Sequence, residues 1–316
     1  MKILLTGGCG YIGTNLTNTL LDSGHQVTVV DIMWFGNYLN SHKNLTVIQA
    51  DIRDIDKVLM DGVDTVIHLA NIANDPTGDL NSKLTWEVNA LTSKLLVEKA
   101  IENSVKKFIY ASSGSVYGVK EEQQVTEDLP LLPISDYNKS KMVSERVLLS
   151  YQDKITLQII RPATVCGYSP RMRLDLSVSL LTMQALTKGR ITVFGGQQTR
   201  PNIYMNDMIG VYLHFLELDS KAPGIYNAGF ENISILDIAN KVTKHVPAKI
   251  DITESNDPRS YRLNSDKLLG TGFSPEYGIE NGIKDVVEEY NSGKLKDEDR
   301  YYNIDELQKW VEGINK

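Results

Sequence analysis

Lys2-Ile3-Leu4-Leu5-Thr6-Gly7-Gly8-Cys9-Gly10-Tyr11-Ile12-Gly13 sets a short apolar run, a glycine turn and the start of a helical pattern one after another. The run 2–6 reads as a buried strand. Tyr11, Ile12, Leu16 and Leu20 recur in threes and fours, as one face of a helix does. Gly7, Gly10 and Gly13 stand at the junction. In such a turn one glycine makes the tight bend, one lets a diphosphate approach the backbone, and one lets helix and strand pack closely. The amides and dipole of the helix start then face an anion. Asp31 closes the next apolar run, near the position from which a carboxylate accepts both hydroxyls of an adenosine ribose. A carboxylate there repels a 2′-phosphate, and Ile32-Met33 adds no arginine, so NAD is expected in preference to NADP. Cys9, inside the turn, reads as a small spacer.

Working outward, β-rich runs at 27–31, 45–49, 65–69, 107–112 and 156–161 alternate with helical patterns at about 82–103 and 136–150. That alternation predicts an α/β, doubly wound Rossmann fold, a parallel sheet with helices on both faces. After Pro162 the rhythm breaks, with Gly195-Gly196 and Asn256-Asp257-Pro258 as turn signals. An NAD-binding domain is expected over 1–165 with a return segment at about 202–230. A smaller, partly discontinuous α+β substrate lobe is expected over 166–201 and 231–316.

The 316 residues carry 33 basic and 40 acidic side chains, a net charge of −7, and no long Lys/Arg block. Counterion release needs clustered positive charge, so nucleic acid and anionic membrane surfaces are excluded as partners. With 41% apolar residues the chain can bury a substantial core. Cys9 and Cys166 cannot build a disulfide framework or a closed zinc site, and no His or carboxylate cluster has metal-ligand spacing, so no metal is expected. The apolar core at the amino end is too short for a signal peptide, and no run approaches the roughly 18 apolar residues of a membrane span. A cytoplasmic protein is expected. Lys294 to Arg300 reads as a solvated loop.

Six segments, in order, carry a resemblance: Thr6-Gly7-Gly8-Cys9-Gly10-Tyr11-Ile12-Gly13, Asp51-Ile52-Arg53-Asp54, His68-Leu69-Ala70, Ser112-Ser113-Gly114-Ser115-Val116-Tyr117-Gly118, Tyr137-Asn138-Lys139-Ser140-Lys141 and Arg161-Pro162. With these spacings the chain resembles the extended short-chain dehydrogenase/reductase superfamily, in particular its NAD-dependent nucleotide-sugar epimerase/dehydratase branch. The resemblance implies cofactor contacts at Gly7, Gly10, Tyr11, Ile12, Gly13, Asp31 and Ser112. It places Asp51 and Ile52 beside the adenine, Leu69 and Ala70 along the cofactor, and Asn89 near it. Asp51 as a cap of the following helix, and Leu69 and Ala70 as plain core, are the structural alternatives.

Tyr137 and Lys141 are four apart, which puts both on one face of a helix. A phenol ionises near pH ~10, but a neighbouring ammonium and a positive nicotinamide favour the phenolate, so Tyr137 can act as a base. The resemblance makes Lys141 a holder of the nicotinamide ribose and Ser113 the catalytic hydroxyl, with Ser112 and Ser115 as competitors. Tyr117 reads as packing or a substrate contact. The implied reaction starts by oxidation of a secondary alcohol to a ketone. Dehydratases of this type carry an Asp-Glu pair where this chain has Gly114-Ser115, and epimerisation next to the ketone needs a cysteine that this segment lacks. A 4-epimerase is expected, with a 4-keto reductase, dehydrogenase or dehydratase of the same family as the alternative. A catalytically silent NAD-binding regulatory protein is the reading from another class, and the presence of Tyr137 and Lys141 speaks against it.

The expected partner is a nucleotide-diphosphate sugar. Thr164 stands where relatives often have Asn, and Cys166 where many have Tyr. Arg200 matches an arginine that contacts the diphosphate, and Arg171, Arg173 and Arg259 are further candidates because guanidinium forks suit diphosphate geometry. His68 reads as a satisfied core residue. The helices at 82–103 and 136–151 are expected to pair with a second copy as a four-helix bundle, giving a homodimer.

Overall fold

Every residue of β1 (Lys2–Thr6) after the first is buried, with Ile3 and Leu5 in one core and Leu4 in another, as a strand covered on both faces requires. The computed structural model describes residues 1–218, 223–254 and 260–314. After β1 come α1 (Tyr11–Asp22), β2 (Gln26–Asp31), β3 (Leu45–Gln49), β4 (Thr65–His68), α2 (Asp75–Leu80), α3 (Ser82–Trp86), α4 (Thr92–Glu102), β5 (Lys107–Ala111), α5 (Asp136–Leu149) and β6 (Thr156–Pro162). The chain continues through β7 (Thr164–Cys166), α6 (Ser177–Lys188), β8 (Arg190–Phe194), β9 (Thr199–Tyr204), α7 (Met205–Glu217) and β10 (Gly224–Ala228). It then forms β11 (Glu231–Ser234), α8 (Ile235–His245), β12 (Lys249–Thr253), α9 (Asp266–Leu269), α10 (Ile279–Asn291) and α11 (Asn303–Ile314).

Seven strands make one parallel sheet in the order β10-β6-β5-β4-β1-β2-β3. The doubly wound Rossmann expectation is met. The strand order reverses between β1 and β4, so a crevice opens at their carboxyl ends, where the loops leave in opposite directions. The fourth and fifth strands end one residue before the pattern predicts, at His68 and Ala111, which leaves Leu69 and Ser112 in the loops of that crevice. One face of the sheet is covered by α1 and α7 through Leu16, Leu20, Val211 and Phe215. The other meets Leu96, Val97 and Ala100 of α4 and Leu148 of α5.

The helix expected over 82–103 is interrupted: Glu87–Leu91 forms a π turn between α3 and α4. The wide turn lets the Asn89 carbonyl accept the hydroxyls of Ser93 and Ser144 at 2.6 and 2.8 Å. A third core, with Val178, Leu181, Ile191, Val193, Ile238 and Ile283, joins α6, α8 and α10 to β8. A three-stranded sheet, β11-β9-β7, and the pair β12-β8 stand beside it. His68 is buried, its two ring nitrogens bonded to Thr6 and Ser93. Among the described residues no helix is long and apolar enough to cross a membrane.

Candidate active site

The turn after β1 closes because Gly7 takes φ +75°, and because a Cβ on Gly13 would lie 2.1 Å from the Gly7 carbonyl oxygen. Gly10 is the N-cap of α1, and no side chain caps the helix. Its first amides are left for an anion. A cavity of about 360 Å³ passes this turn and is lined by Gly7, Gly10, Tyr11, Ile12, Gly13, Asp31, Asp51, Ile52, Leu69, Ala70 and Ser112. The Asp31 carboxylate accepts the Cys9 amide at 2.9 Å and the Met33 amide at 2.7 Å, one on each oxygen. Each oxygen keeps a lone pair, the requirement for a ribose diol. Burial raises the Asp31 pKa, and the two amides oppose it. The open helix start, the glycine turn and the carboxylate together fit NAD.

Asp51 reaches the cleft and also accepts the Arg53 amide at 2.9 Å and its guanidinium at 2.7 Å, but it does not cap the short helix that follows, Ile55–Lys57, whose N-cap is Asp54. Asn89 stands behind the wall: its side chain accepts the Ile72 amide at 2.8 Å and donates to the Ile72 carbonyl and to Ser140, each at 3.1 Å. It ties the loop after β4 to the helix that bears Tyr137.

Tyr137, Ser112, Ser113 and Ser115 line the opposite end of the cavity. Ser135 caps α5 through the Asn138 amide, which presents Tyr137 and Lys141 in the first turns of the helix. Burial pushes the Tyr137 phenol up to about 12; the Arg173 charge pulls it down, and Asp75 pushes it up. Lys141 is fully buried, donates to the Ala111 carbonyl at 2.6 Å and lies 4.7 Å from the centre of the Tyr110 ring. Burial lowers its pKa to about 7, against the pull of Glu145. Ser112 bonds Glu145, which pairs with Arg161 at 2.6 Å, and Arg161 meets the Tyr117 hydroxyl at 2.7 Å. Tyr117 is thus locked in the core beneath the site rather than standing at its rim.

Thr164, Arg171, Arg173 and Arg200 also line the cavity, whereas Arg259 lies outside the described residues. Arg173 forms a two-point pair with Asp175 at 3.0 and 2.7 Å, and Asn74 donates to the same carboxylate at 2.9 Å. Arg171 lies 3.8 Å from the centre of the Phe35 ring, bonds Asn303 and acts electrostatically on Asp31. Burial and the charge of Arg173 lower its pKa to about 9. This position is on the Asp31 side of the cleft.

Several lining residues carried no local signal. Asn74-Asp75-Pro76 could have been read as a helix start, with Asn74 as cap, which it is. Phe35, Asn303 and Leu307 meet at the cleft only because α11 folds back over it, with Trp34 and Trp310 ring centres 4.4 Å apart.

The family described as NAD dependent epimerase/dehydratase matches this chain over residues 3–229. A UDP-glucose 4-epimerase of Lactobacillus helveticus is 27% identical, covering 91% of this chain and 95% of its own length. UDP-glucuronic acid decarboxylase 1 of Danio rerio is 28% identical over 92% of this chain and 72% of its own. Among solved structures, the UDP-glucuronic acid 4-epimerase of Bacillus cereus in complex with UDP-glucuronic acid and NAD aligns with a TM-score of 0.82 at 29% identity, over 92% of this chain and 99% of that one. A chain with this crevice, this glycine turn and these matches belongs to the NAD-dependent epimerase/dehydratase family of enzymes.

Proposed function

We propose that this enzyme is a nucleotide-sugar 4-epimerase, with Ser113, Tyr137 and Lys141 as its catalytic group and Thr164, Arg173 and Arg200 on the sugar-diphosphate side. The observation that carries the proposal is that the buried Tyr137 and Ser113 line the cleft together, next to Gly114-Ser115, which provides no carboxylate. Tyr137 takes the proton of the sugar hydroxyl and later gives it back. Bound NAD supplies the redox step at the carbinol carbon and a positive charge beside the phenol. Ser113 orients the sugar oxygen. Lys141, pinned to Ala111, sets the position of the nicotinamide ribose, and Arg171 lies toward the adenosine side. The cofactor contacts proposed from sequence are retained at the residues that line the cleft.

A second reading, elimination of water, draws on one observation: Asp75 lines the same end of the cleft as Tyr137 and acts on its phenol. Its carboxylate already takes Ser135 and Asn138 at 2.6 and 2.7 Å, which suits it to holding groups rather than shuttling protons. The proposal extends to a cytoplasmic homodimer that pairs α4 and α5 with those of a second copy. Light scattering that gives a strict monomer at micromolar concentration would remove the dimer.

The activity is tested by incubating the protein with a panel of nucleotide sugars and following both absorbance at 340 nm and product stereochemistry. Epimer formation without net NADH is the expected result. Stoichiometric NADH identifies a dehydrogenase, a dehydrated product a lyase, and tight NAD binding with no turnover a silent sensor.

A further inference from the structure

The polar groups behind Ser113 form a chain of hydrogen bonds whose direction is set at its far end. Asp75, at the start of α2, accepts on one oxygen from the Asn138 amide nitrogen at 2.7 Å and from the Ser135 hydroxyl at 2.6 Å. An ionised carboxylate only accepts, so the NH₂ end of Asn138 must face it. Asn138 is 1% exposed and cannot turn over without setting its carbonyl against that carboxylate. The Asn138 carbonyl therefore faces Ser115, and the single hydroxyl hydrogen of Ser115 is spent on it. Ser113 and Ser115 lie 2.7 Å apart, and since the Ser115 hydrogen is used, Ser113 is the donor. The Ser113 oxygen also takes the Ser115 amide at 3.2 Å and keeps one lone pair for the cleft, which Ser113 and Tyr137 both line.

We infer that Asp75, acting through Asn138 and Ser115, is a positioning residue that fixes Ser113 as a hydrogen-bond acceptor toward the cleft. The inference rests on the proposed function and deepens it. When the sugar O–H bond breaks, its proton forms the phenol O–H of Tyr137, and the Ser113 lone pair draws that new hydrogen to itself. The sugar carbonyl is then held by neither residue and is free to turn, as an epimerase needs and a dehydratase does not.

Ser115→Ala is the direct test, because it cuts the chain without changing any charge. The Ser113 hydrogen is then free to serve the phenolate. The groups that act on or with the phenol, Asp75, Arg173, Tyr110 and Tyr212, all remain. The Tyr137 titration, followed by NMR of ζ-carbon-labelled tyrosine and assigned with Tyr137→Phe, is expected to move down by about one unit. Epimerisation is expected to lose about tenfold in kcat while KM stays within about twofold. A second comparison guards against a folding defect. Asn138→Asp alone sets two carboxylates face to face, whereas the exchange Asp75→Asn with Asn138→Asp turns the 75–138 bond round but leaves position 138 accepting from Ser115, and so Ser113 donating to Ser115, and should recover most of the lost kcat. A Tyr137 titration that stays in place or rises in Ser115→Ala overturns the inference, as does an exchange no better than Asn138→Asp alone. The titration needs no sugar. A wild-type protein inert toward every nucleotide sugar, with the downward shift intact, refutes only the 4-epimerase proposal, and active protein without the shift refutes only the positioning role.

Discussion

The ammonium of Lys141 donates to the carbonyl of Ala111 at 2.6 Å, tying the middle of α5 to the last residue of β5 within fully buried surroundings. Its pKa falls from 10.5 to about 7. Between those values the unfolded chain binds more protons than the folded one, so stability rises with pH. Below about 7 both states are protonated and the burial penalty is present in full. Without added cofactor, the melting temperature is expected to climb from pH 6 to pH 9 by the equivalent of a few kcal/mol. Lys141→Met should remove that climb; equal pH dependence in the two proteins would contradict the assignment.

Tyr137→Phe keeps the ring and its packing and removes the one atom that, under the proposed mechanism, exchanges a proton with the sugar. Activity should fall by roughly 10²–10⁴-fold. NAD content and melting temperature should stay near wild type. The comparison is made by product stereochemistry and by the cofactor released on denaturation, and undiminished turnover would take Tyr137 out of the mechanism.

Asp31→Asn preserves an acceptor for the Cys9 or Met33 amide and deletes the charge that is proposed to meet the adenosine ribose. The discrimination between NAD and NADP should narrow by about tenfold, equivalent to about 1.4 kcal/mol. Calorimetric titration with each nucleotide measures it. An unchanged ratio would place the 2′-oxygen elsewhere.

Trp310 closes α11 against Trp34, which lines the cleft. Loss of an aromatic pair costs about 0.5–1.5 kcal/mol beyond the buried area. Trp310→Ala is expected to speed NAD release several-fold in a stopped-flow displacement experiment, with little change at Tyr137. A release rate equal to wild type would mean that α11 does not hold the cofactor in.

Much of this architecture is written locally. The turn from β1 to α1 needs only Gly7, Gly10 and Gly13, Asp31 ends the next strand, and Tyr137 and Lys141 declare a shared helix face by spacing alone. What escapes is contact between distant residues. Arg171 is legible as a cation suited to phosphate, but its neighbours Phe35 and Asn303 come from opposite ends of the chain, and no periodicity announces them. Asp75 and Asn138 are likewise brought together only by the packing of α2 on α5. The π turn at Glu87–Leu91 escapes because the serine hydroxyls that meet the Asn89 carbonyl come from two different helices, behind a regular apolar repeat.

The wall of the cleft runs from Gly7 to Leu307. During synthesis the glycine turn leaves the ribosome early, while Asn303 and Leu307 emerge only when nearly all of these residues have been made. A nascent chain can therefore meet the dinucleotide long before it can enclose it. Retention of the cofactor then depends on α11 having been made, and a protein cut short before α11 would bind and lose its nucleotide with each encounter.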